Sequence, residues 1–161
     1  FAPLLQAVSE QGVPDHYVNL LAALYNDQTA ATRGSRPFPI TRGAKQGDVI
    51  SPILFNAGLE LAFRRWKNRL TTEGWLLDDG GDRLTNTRYA DDIMLYAKSL
   101  PELVRMLEFL IEELARVGLQ LNAGKTKILT NDTHWRDHDV LCMVDIAGGM
   151  LELLPSTSAP K

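Results

Sequence analysis

The sequence contains a single cysteine, Cys142, so no disulfide can form within the chain, and the composition fits a reducing compartment. No apolar run approaches the length needed to cross a bilayer, and the first residues carry no signal-peptide pattern. Membrane-spanning and secreted proteins are therefore not expected. A basic excess is also missing. The net charge is −3 and the pI is near 5.6, which is unusual for a domain that binds nucleic acid. That sum is a blunt measure, because carboxylates that hold metal and cations that hold phosphate nearly cancel in it. Internal repeats and domain linkers are absent as well. With 161 residues, 45% hydrophobic and 23% charged, the chain is long enough for one domain with a real core and too short for two.

What is present reads as helices and short strands. Leu4, Leu5 and Val8 mark one face of a helix over residues 1–11, broken by Gly12-Val13-Pro14. Tyr17, Leu20, Leu21, Leu24 and Tyr25 recur at helical spacing between Asp15 and Asp27. Thr29–Arg33 and Phe38–Arg42 flank the turn-rich Gly34-Ser35-Arg36-Pro37, which predicts a β-hairpin with a four-residue loop. Ser51-Pro52 places a serine N-cap before a proline at the first helical position. The helix it opens is apolar nearly all round through Leu61 and then basic, so its first half is expected to be buried and its second half to emerge. Trp75–Leu77 and Leu84–Lys98 look extended, parted by the polar turn Asp78–Asp82. Ser99-Leu100-Pro101-Glu102 is a capping-box pattern ahead of a face made of Leu103, Met106, Leu107, Leu110, Leu114 and Val117, and Gly118 is placed to end that helix. Short strands follow near Lys127–Leu129, Val140–Ile146 and Met150–Leu153. The tail, Pro155–Lys161, has no core-forming pattern and is expected to be flexible. The layout is α+β, with helices and antiparallel strands around one core.

Asp91-Asp92 falls between two strand-like runs. A tight hairpin turn presents neighbouring side chains near one apex, although strand neighbours otherwise point to opposite faces. Two carboxylates held together repel, and a bound cation keeps both ionised. Magnesium suits them, being a hard ion shared readily between carboxylates and substrate phosphates. Two such ions can activate an attacking hydroxyl and stabilise a leaving pyrophosphate. The plain alternative is an idle turn, since Asp accepts turn geometry and water. The apolar flanks Ala90, Ile93, Met94 and Leu95 count against idleness.

The tetrad Tyr89-Ala90-Asp91-Asp92 resembles the catalytic box of reverse transcriptases, especially the non-LTR retrotransposon and group II intron branch. Upstream, Arg42-Gly43-Ala44-Lys45-Gln46-Gly47-Asp48-Val49-Ile50-Ser51-Pro52 resembles the family's Gly-Val-Arg-Gln-Gly-Asp-Pro-Leu-Ser-Pro block, which helps to hold template and incoming nucleotide. Downstream, Gly118–Lys127 resembles the next block, whose lysine, here Lys125, is placed near the nucleotide's phosphates. The three blocks stand in the family's order, and the resemblance covers nearly the whole chain. Lys45 stands where arginine is usual, and Val49 replaces a common proline.

The resemblance implies the palm of an RNA-directed DNA polymerase, a polymerase palm-like antiparallel sheet packed on helices, with residues 1–161 forming a partial domain truncated at both ends. It implies nucleotidyl transfer from a dNTP to a primer 3′-hydroxyl, using magnesium, or manganese in its place. Asp91 and Asp92 would be catalytic metal ligands, with Lys125 serving the phosphates. Arg42, Gly43, Lys45, Gln46, Gly47 and Tyr89 would meet substrate or template. The chemistry of the residues suits these roles. Gly43 and Gly47 let backbone approach a base or phosphate, Gln46 offers both donor and acceptor, and either Lys45 or Lys125 can neutralise phosphate or donate a proton. The implied partners are an RNA template, a DNA primer, dNTP, and the fingers and thumb of the same polymerase, with no membrane. The implied location is intracellular, nuclear or cytoplasmic. The family's first catalytic aspartate lies on a strand ahead of the helix at Phe1, so the isolated chain is expected to be inactive. A non-catalytic remnant that binds RNA or protein is the alternative, and a magnesium-dependent hydrolase built on the same acidic pair is a second.

Other features have blander readings. His134, His138 and Cys142 are spaced by four, as zinc ligands on one helix face would be, yet their polar surroundings fit a solvated connection. Arg64, Arg65, Lys67 and Arg69 can touch nucleic-acid backbone or simply be solvated. Tyr89 and Tyr96 can pack near a primer end or fill the sheet's core.

Overall fold

The structure, a computed structural model, describes residues 1–26, 28–34, 36–40, 48–131 and 142–155. Helix α1 (Ala2–Glu10) carries its proline in the first turn, where the missing N–H is no loss, and buries Ala7 and Val8. Leu4 and Leu5 are only half-buried. Helix α2 (Asp15–Tyr25) buries Leu21 and Tyr25. The rest of its apolar stripe, Tyr17, Leu20 and Leu24, is more than half exposed. The five residues cover a wider arc than the neighbouring helix shields.

Strands β1 (Thr29–Ala30) and β2 (Phe38–Pro39) form the expected hairpin, paired Thr29 with Pro39 and Ala30 with Phe38. Its ladder is shorter than the sequence suggests, so the loop is longer. Helix α3 (Ser51–Lys67) starts one residue after its N-cap, Ile50. Ser51 is therefore the first helical residue and not the cap. The Asp48 carboxylate accepts the Ile50 N–H at 3.3 Å, doing locally what a capping side chain does.

The burial of α3 meets the sequence expectation in part: Leu54, Ala57, Leu59 and Leu61 are buried and Arg64 and Lys67 are exposed, but two residues depart from it. Ile53 is 64% exposed while Trp66 is fully buried. Helix α4 (Leu100–Arg116) crosses the C-terminal half of α3, and the indole Nε1 of Trp66 donates to the carbonyl of Met106 at 2.7 Å. The basic residues there escape burial by taking the outer face. Phe63 packs edge-on against Trp66.

Strands β3 (Trp75–Leu76) and β4 (Arg83–Leu84) pair across the polar turn. Strands β5 (Asn86–Tyr89) and β6 (Asp92–Leu95) form a second hairpin, prolonged by the Tyr96 N–H donating to the Thr85 carbonyl at 2.9 Å. Ser99 caps α4, its hydroxyl accepting the Glu102 N–H at 3.4 Å. The reciprocal arm of the box is redirected, because the Glu102 carboxylate takes the Gly74 N–H at 2.7 Å. It thereby ties the β3–β4 hairpin to the start of α4. Gly118, at φ +80°, ends the helix as predicted.

Strands β7 (Lys127–Thr130), β8 (Cys142–Ile146) and β9 (Gly149–Pro155) form a sheet in the order β7-β9-β8. The expectation of one antiparallel sheet needs correction. Among the described residues there are four small sheets, and β7 pairs with β9 in parallel. The reason is the tight turn at Ala147-Gly148, which folds β9 back on β8 and so brings it beside β7 in the same direction. Lys127 and Glu152 are in register across that pair and form an ion pair.

Two apolar clusters hold these parts. The larger joins α1, α2, α3 and α4 around Phe63, Trp66 and Met106. The smaller packs Leu107 of α4 on Ile128, Ile146 and Leu151 of the C-terminal sheet. Leu95 of β6 touches both. No helix among the described residues is long and apolar enough to cross a membrane.

Candidate active site at an acidic hairpin

The β5–β6 hairpin alternates as a strand should. Arg88 and its partner Ile93 face the helices, and Asn86 pairs with Leu95 on that same side. Ile93 and Leu95 pack on the larger core cluster. The other face carries Thr87 opposite Met94, and Tyr89 opposite Asp92. Only Ala90 and Asp91 lie between the strands. Ala90 takes a left-handed φ of +53°, the sign that tight two-residue hairpin loops demand at their first central position. The sequence thus makes the turn with alanine where glycine would be unstrained.

This geometry puts Asp91 and Asp92 at the apex, both exposed. Neither takes part in a side-chain hydrogen bond or ion pair with another described residue. Tyr89 is 84% exposed, so it does not fill the core. Tyr96 does pack locally, its hydroxyl 3.1 Å from Thr87 Oγ1 and donating to Met94 Sδ at 3.0 Å. Among the described residues no group of three His, Cys, Asp or Glu is gathered to hold a metal. Two adjacent, solvated carboxylates with no described partner suit a hard cation that takes its remaining oxygens from water and substrate. They do not amount to a closed protein cage.

Behind the apex lies α3. The Arg88 guanidinium is 3.0 Å from Glu60 Oε2 and 4.5 Å over the ring of buried Phe63. Glu60 also accepts from Arg64 at 2.9 Å. Partial burial is the largest single influence on the Glu60 carboxyl and opposes its ionisation. The hydrogen bonds and charges of Arg64 and Arg88 together outweigh it, so its pKa lies below the usual carboxylate value. A cleft of about 560 Å³ opens beside the apex, lined by Val8 and Val13, by Ile53 and Asn56 of α3, and by Arg88 and Ala90 of the hairpin.

The other sequence-predicted residues are more scattered. Arg42, Gly43, Lys45, Gln46 and Gly47 lie outside the described residues. Lys125 sits in the turn between α4 and β7, its backbone N–H donating to the Asn122 carbonyl at 3.1 Å, with its side chain exposed. No ion pair joins Lys125 to Asp91 or Asp92 among the described residues. Their supports do meet, since Leu95, Leu121 and Ala123 all pack on the smaller cluster. His134 and His138 lie outside the described residues, and Cys142 opens a strand and not a helix, so the helical zinc spacing does not extend to it.

Most of the basic run is engaged within the chain. Arg64 pairs with Glu60, Arg65 with Glu10 at 3.0 Å, and Arg69 with Glu112 at 2.7 Å and Glu113 at 3.1 Å. Glu113 is a buried carboxylate that the apolar periodicity hides. Glu60 and Arg88 were also missed. The signal for Arg88 was its parity, opposite to Tyr89 along one strand.

Residues 1–142 match the family described as Reverse transcriptase (RNA-dependent DNA polymerase). The chain is 30% identical over 129 residues to the retrovirus-related Pol polyprotein from type-2 retrotransposable element R2DM of Drosophila melanogaster, covering 77% of this chain and 12% of that protein. It is 31% identical over 130 residues to the retrovirus-related Pol polyprotein from type-1 retrotransposable element R2 of Bradysia coprophila, covering 79% and 14%. The corresponding polyprotein of Nasonia vitripennis is 26% identical over 147 residues, covering 81% and 14%. The chain thus spans about an eighth of the length of these curated relatives.

Proposed function

The chain belongs to the reverse transcriptase (RNA-dependent DNA polymerase) family, in its non-LTR retrotransposon branch, and on that premise we propose that it forms part of the palm of an RNA-directed DNA polymerase. The observation that carries this reading is the acidic apex, where Asp91 and Asp92 stand exposed beside exposed Tyr89, without an ion pair or side-chain hydrogen bond to any described residue. These two carboxylates would hold magnesium, or manganese, together with oxygens from substrate. When bound, such ions supply activation of the primer 3′-hydroxyl and charge stabilisation at the phosphates. The chain's own residues do the positioning. Tyr89 offers a flat face on the Asp92 side of the hairpin, suited to the primer terminus. Arg42, Gly43, Lys45, Gln46 and Gly47 would contact template and dNTP. Lys125 would neutralise the phosphates and can give a proton to the leaving pyrophosphate.

In this reading the working enzyme is the longer protein, acting inside the cell, nuclear or cytoplasmic, on an RNA template and DNA primer gripped by its fingers and thumb. The test is primer extension on an RNA template by the full-length protein beside Asp91→Asn. Incorporation by the wild type and its loss in the variant is the expected result. Equal activity in the two sinks the metal-ligand assignment. Template binding without incorporation by the wild type favours a non-catalytic remnant, and strand cutting without incorporation favours a hydrolase.

A further inference from the structure

Among the described residues, nothing packs on the tip of the acidic hairpin. Tyr89, Ala90, Asp91 and Asp92 are all exposed, and the cleft beside Ala90 leaves room on the α3 side into which the tip can lean. The hairpin must therefore be aimed from its inner face. That face carries Ile93 and Leu95 on β6, anchored in the core. On β5 its last residue before the turn is Arg88. Arg88 leaves the strand, crosses the rim of the cleft and ends on α3, held by Glu60 at 3.0 Å and stacked 4.5 Å over Phe63. Phe63 is itself fixed, being 1% exposed and packed against Trp66. Glu60 is fixed from its own helix by Arg64 at 2.9 Å.

We propose that the Glu60–Arg88 pair, seated on Phe63, is the strut that sets where Asp91 and Asp92 stand, making both positioning residues for nucleotidyl transfer. The proposal rests on the polymerase reading for its catalytic consequence but not for its structural one. A guanidinium lying over a ring and paired with a carboxylate through one of its nitrogens is held at two points, which fixes direction as well as distance. Lysine keeps the charge and loses the plane. A strand tethered on β6 alone would pivot about the Ile93 side, and the apex would swing by the lever of the turn.

In the full-length protein, Arg88→Lys and Glu60→Gln are each expected to lower primer-extension turnover on the order of a hundredfold, the scale set by an ångström of misplacement. The KM for dNTP should change little, because neither residue touches it. The double variant should be no worse than either single one, since both remove the same strut. Losses that multiply, or wild-type turnover in Arg88→Lys, overturn the proposal. A second readout needs no activity. In protein labelled with 3-fluorotyrosine, the Tyr89 fluorine resonance, assigned with Tyr89→Phe, should shift and broaden in both variants while those of Tyr17 and Tyr25 stay. An unmoved Tyr89 resonance overturns the strut. Unfolding of both variants assigns the pair to stability alone and overturns it too. If the wild type incorporates no nucleotide, the polymerase reading fails and the fluorine spectra still decide the strut.

Discussion

Tyr89 and Asp92 face each other across the last rung of the β5–β6 ladder, so an aromatic ring and a carboxylate share the solvent side of one hairpin. The opposite side of that ladder is occupied by Arg88 and Ile93. The pleat thus sets the candidate site on one side and its packing on the other. Residues on the outer side can be changed with little effect on folding, whereas Ile93 and Leu95 on the inner side pack on the core.

Tyr89→Ala tests the outer side. With 84% of the residue exposed, the substitution should leave unfolding free energy within about 0.5 kcal/mol of wild type, as surface changes do. Primer extension by the full-length protein should nevertheless fall. Urea denaturation of the variant beside its extension rate reads both, and a large loss of stability would move Tyr89 into the packing.

Ala90→Gly tests the turn. At φ +53° alanine carries left-handed strain that glycine lacks, so the variant should gain about 1 kcal/mol of stability. Ala90→Val should lose stability, because a β-branched side chain resists that φ more strongly. Denaturation midpoints with unchanged m values give the answer, and equal stability of all three would mean that the turn is relaxed.

Gly74→Ala should be damaging. Gly74 sits at φ +99°, and a Cβ there would meet the Leu84 carbonyl oxygen at 2.9 Å and Thr85 Cγ2 at 2.8 Å. Backbone cannot step aside, so the expected loss is about 3 kcal/mol. The Gly74 N–H, bonded to Glu102, should exchange faster with solvent, and retained protection would contradict the clash.

Glu73 gives a pH dependence. Its carboxylate accepts the Thr71 N–H at 2.7 Å and the Thr72 N–H at 3.0 Å. The Thr71 hydrogen bond is the largest influence, and partial burial works against it without prevailing, so the pKa lies below the ordinary 4.5. A folded value below the unfolded one means stability that is present above pH 4.5 and lost as pH falls through the folded value. Glu73→Gln should then be less stable than wild type at neutral pH, with the gap closing in acid. Denaturation midpoints measured from neutral to acid pH would show it, and parallel curves would remove Glu73 from the account.

Much of this fold could be read from the residues. The helix from Leu100 was written by Ser99 at its cap, six apolar residues on one face and Gly118 at its end. The hairpin apex was readable too, because Asp91 and Asp92 fall between two strand-like runs, although the turn itself is Ala90-Asp91 and Asp92 already opens β6. Reading failed where tertiary contact overrode local pattern. Trp66 is buried beside three basic neighbours because α4 crosses there, which no local period reports. Tyr17, Leu20 and Leu24 form a helical stripe that no described element covers. The parallel pairing of β7 with β9 depends on where Ala147-Gly148 turns the chain, and strand periodicity carries no direction. Of the candidate site, the family blocks point to Asp91, Asp92, Tyr89 and Lys125 as expectations, while the Arg88–Glu60 contact joins residues 28 apart in sequence and leaves no local trace.

Leu95 belongs to both apolar clusters, and this makes it a relay. A disturbance of the C-terminal sheet at Ile128 or Leu151 reaches β6 through one side chain, three residues from Asp92. The strand behind the acidic tip is therefore packed against a part of the chain that comes well after it. One packed side chain thus joins the C-terminal sheet to the strand that carries Asp92.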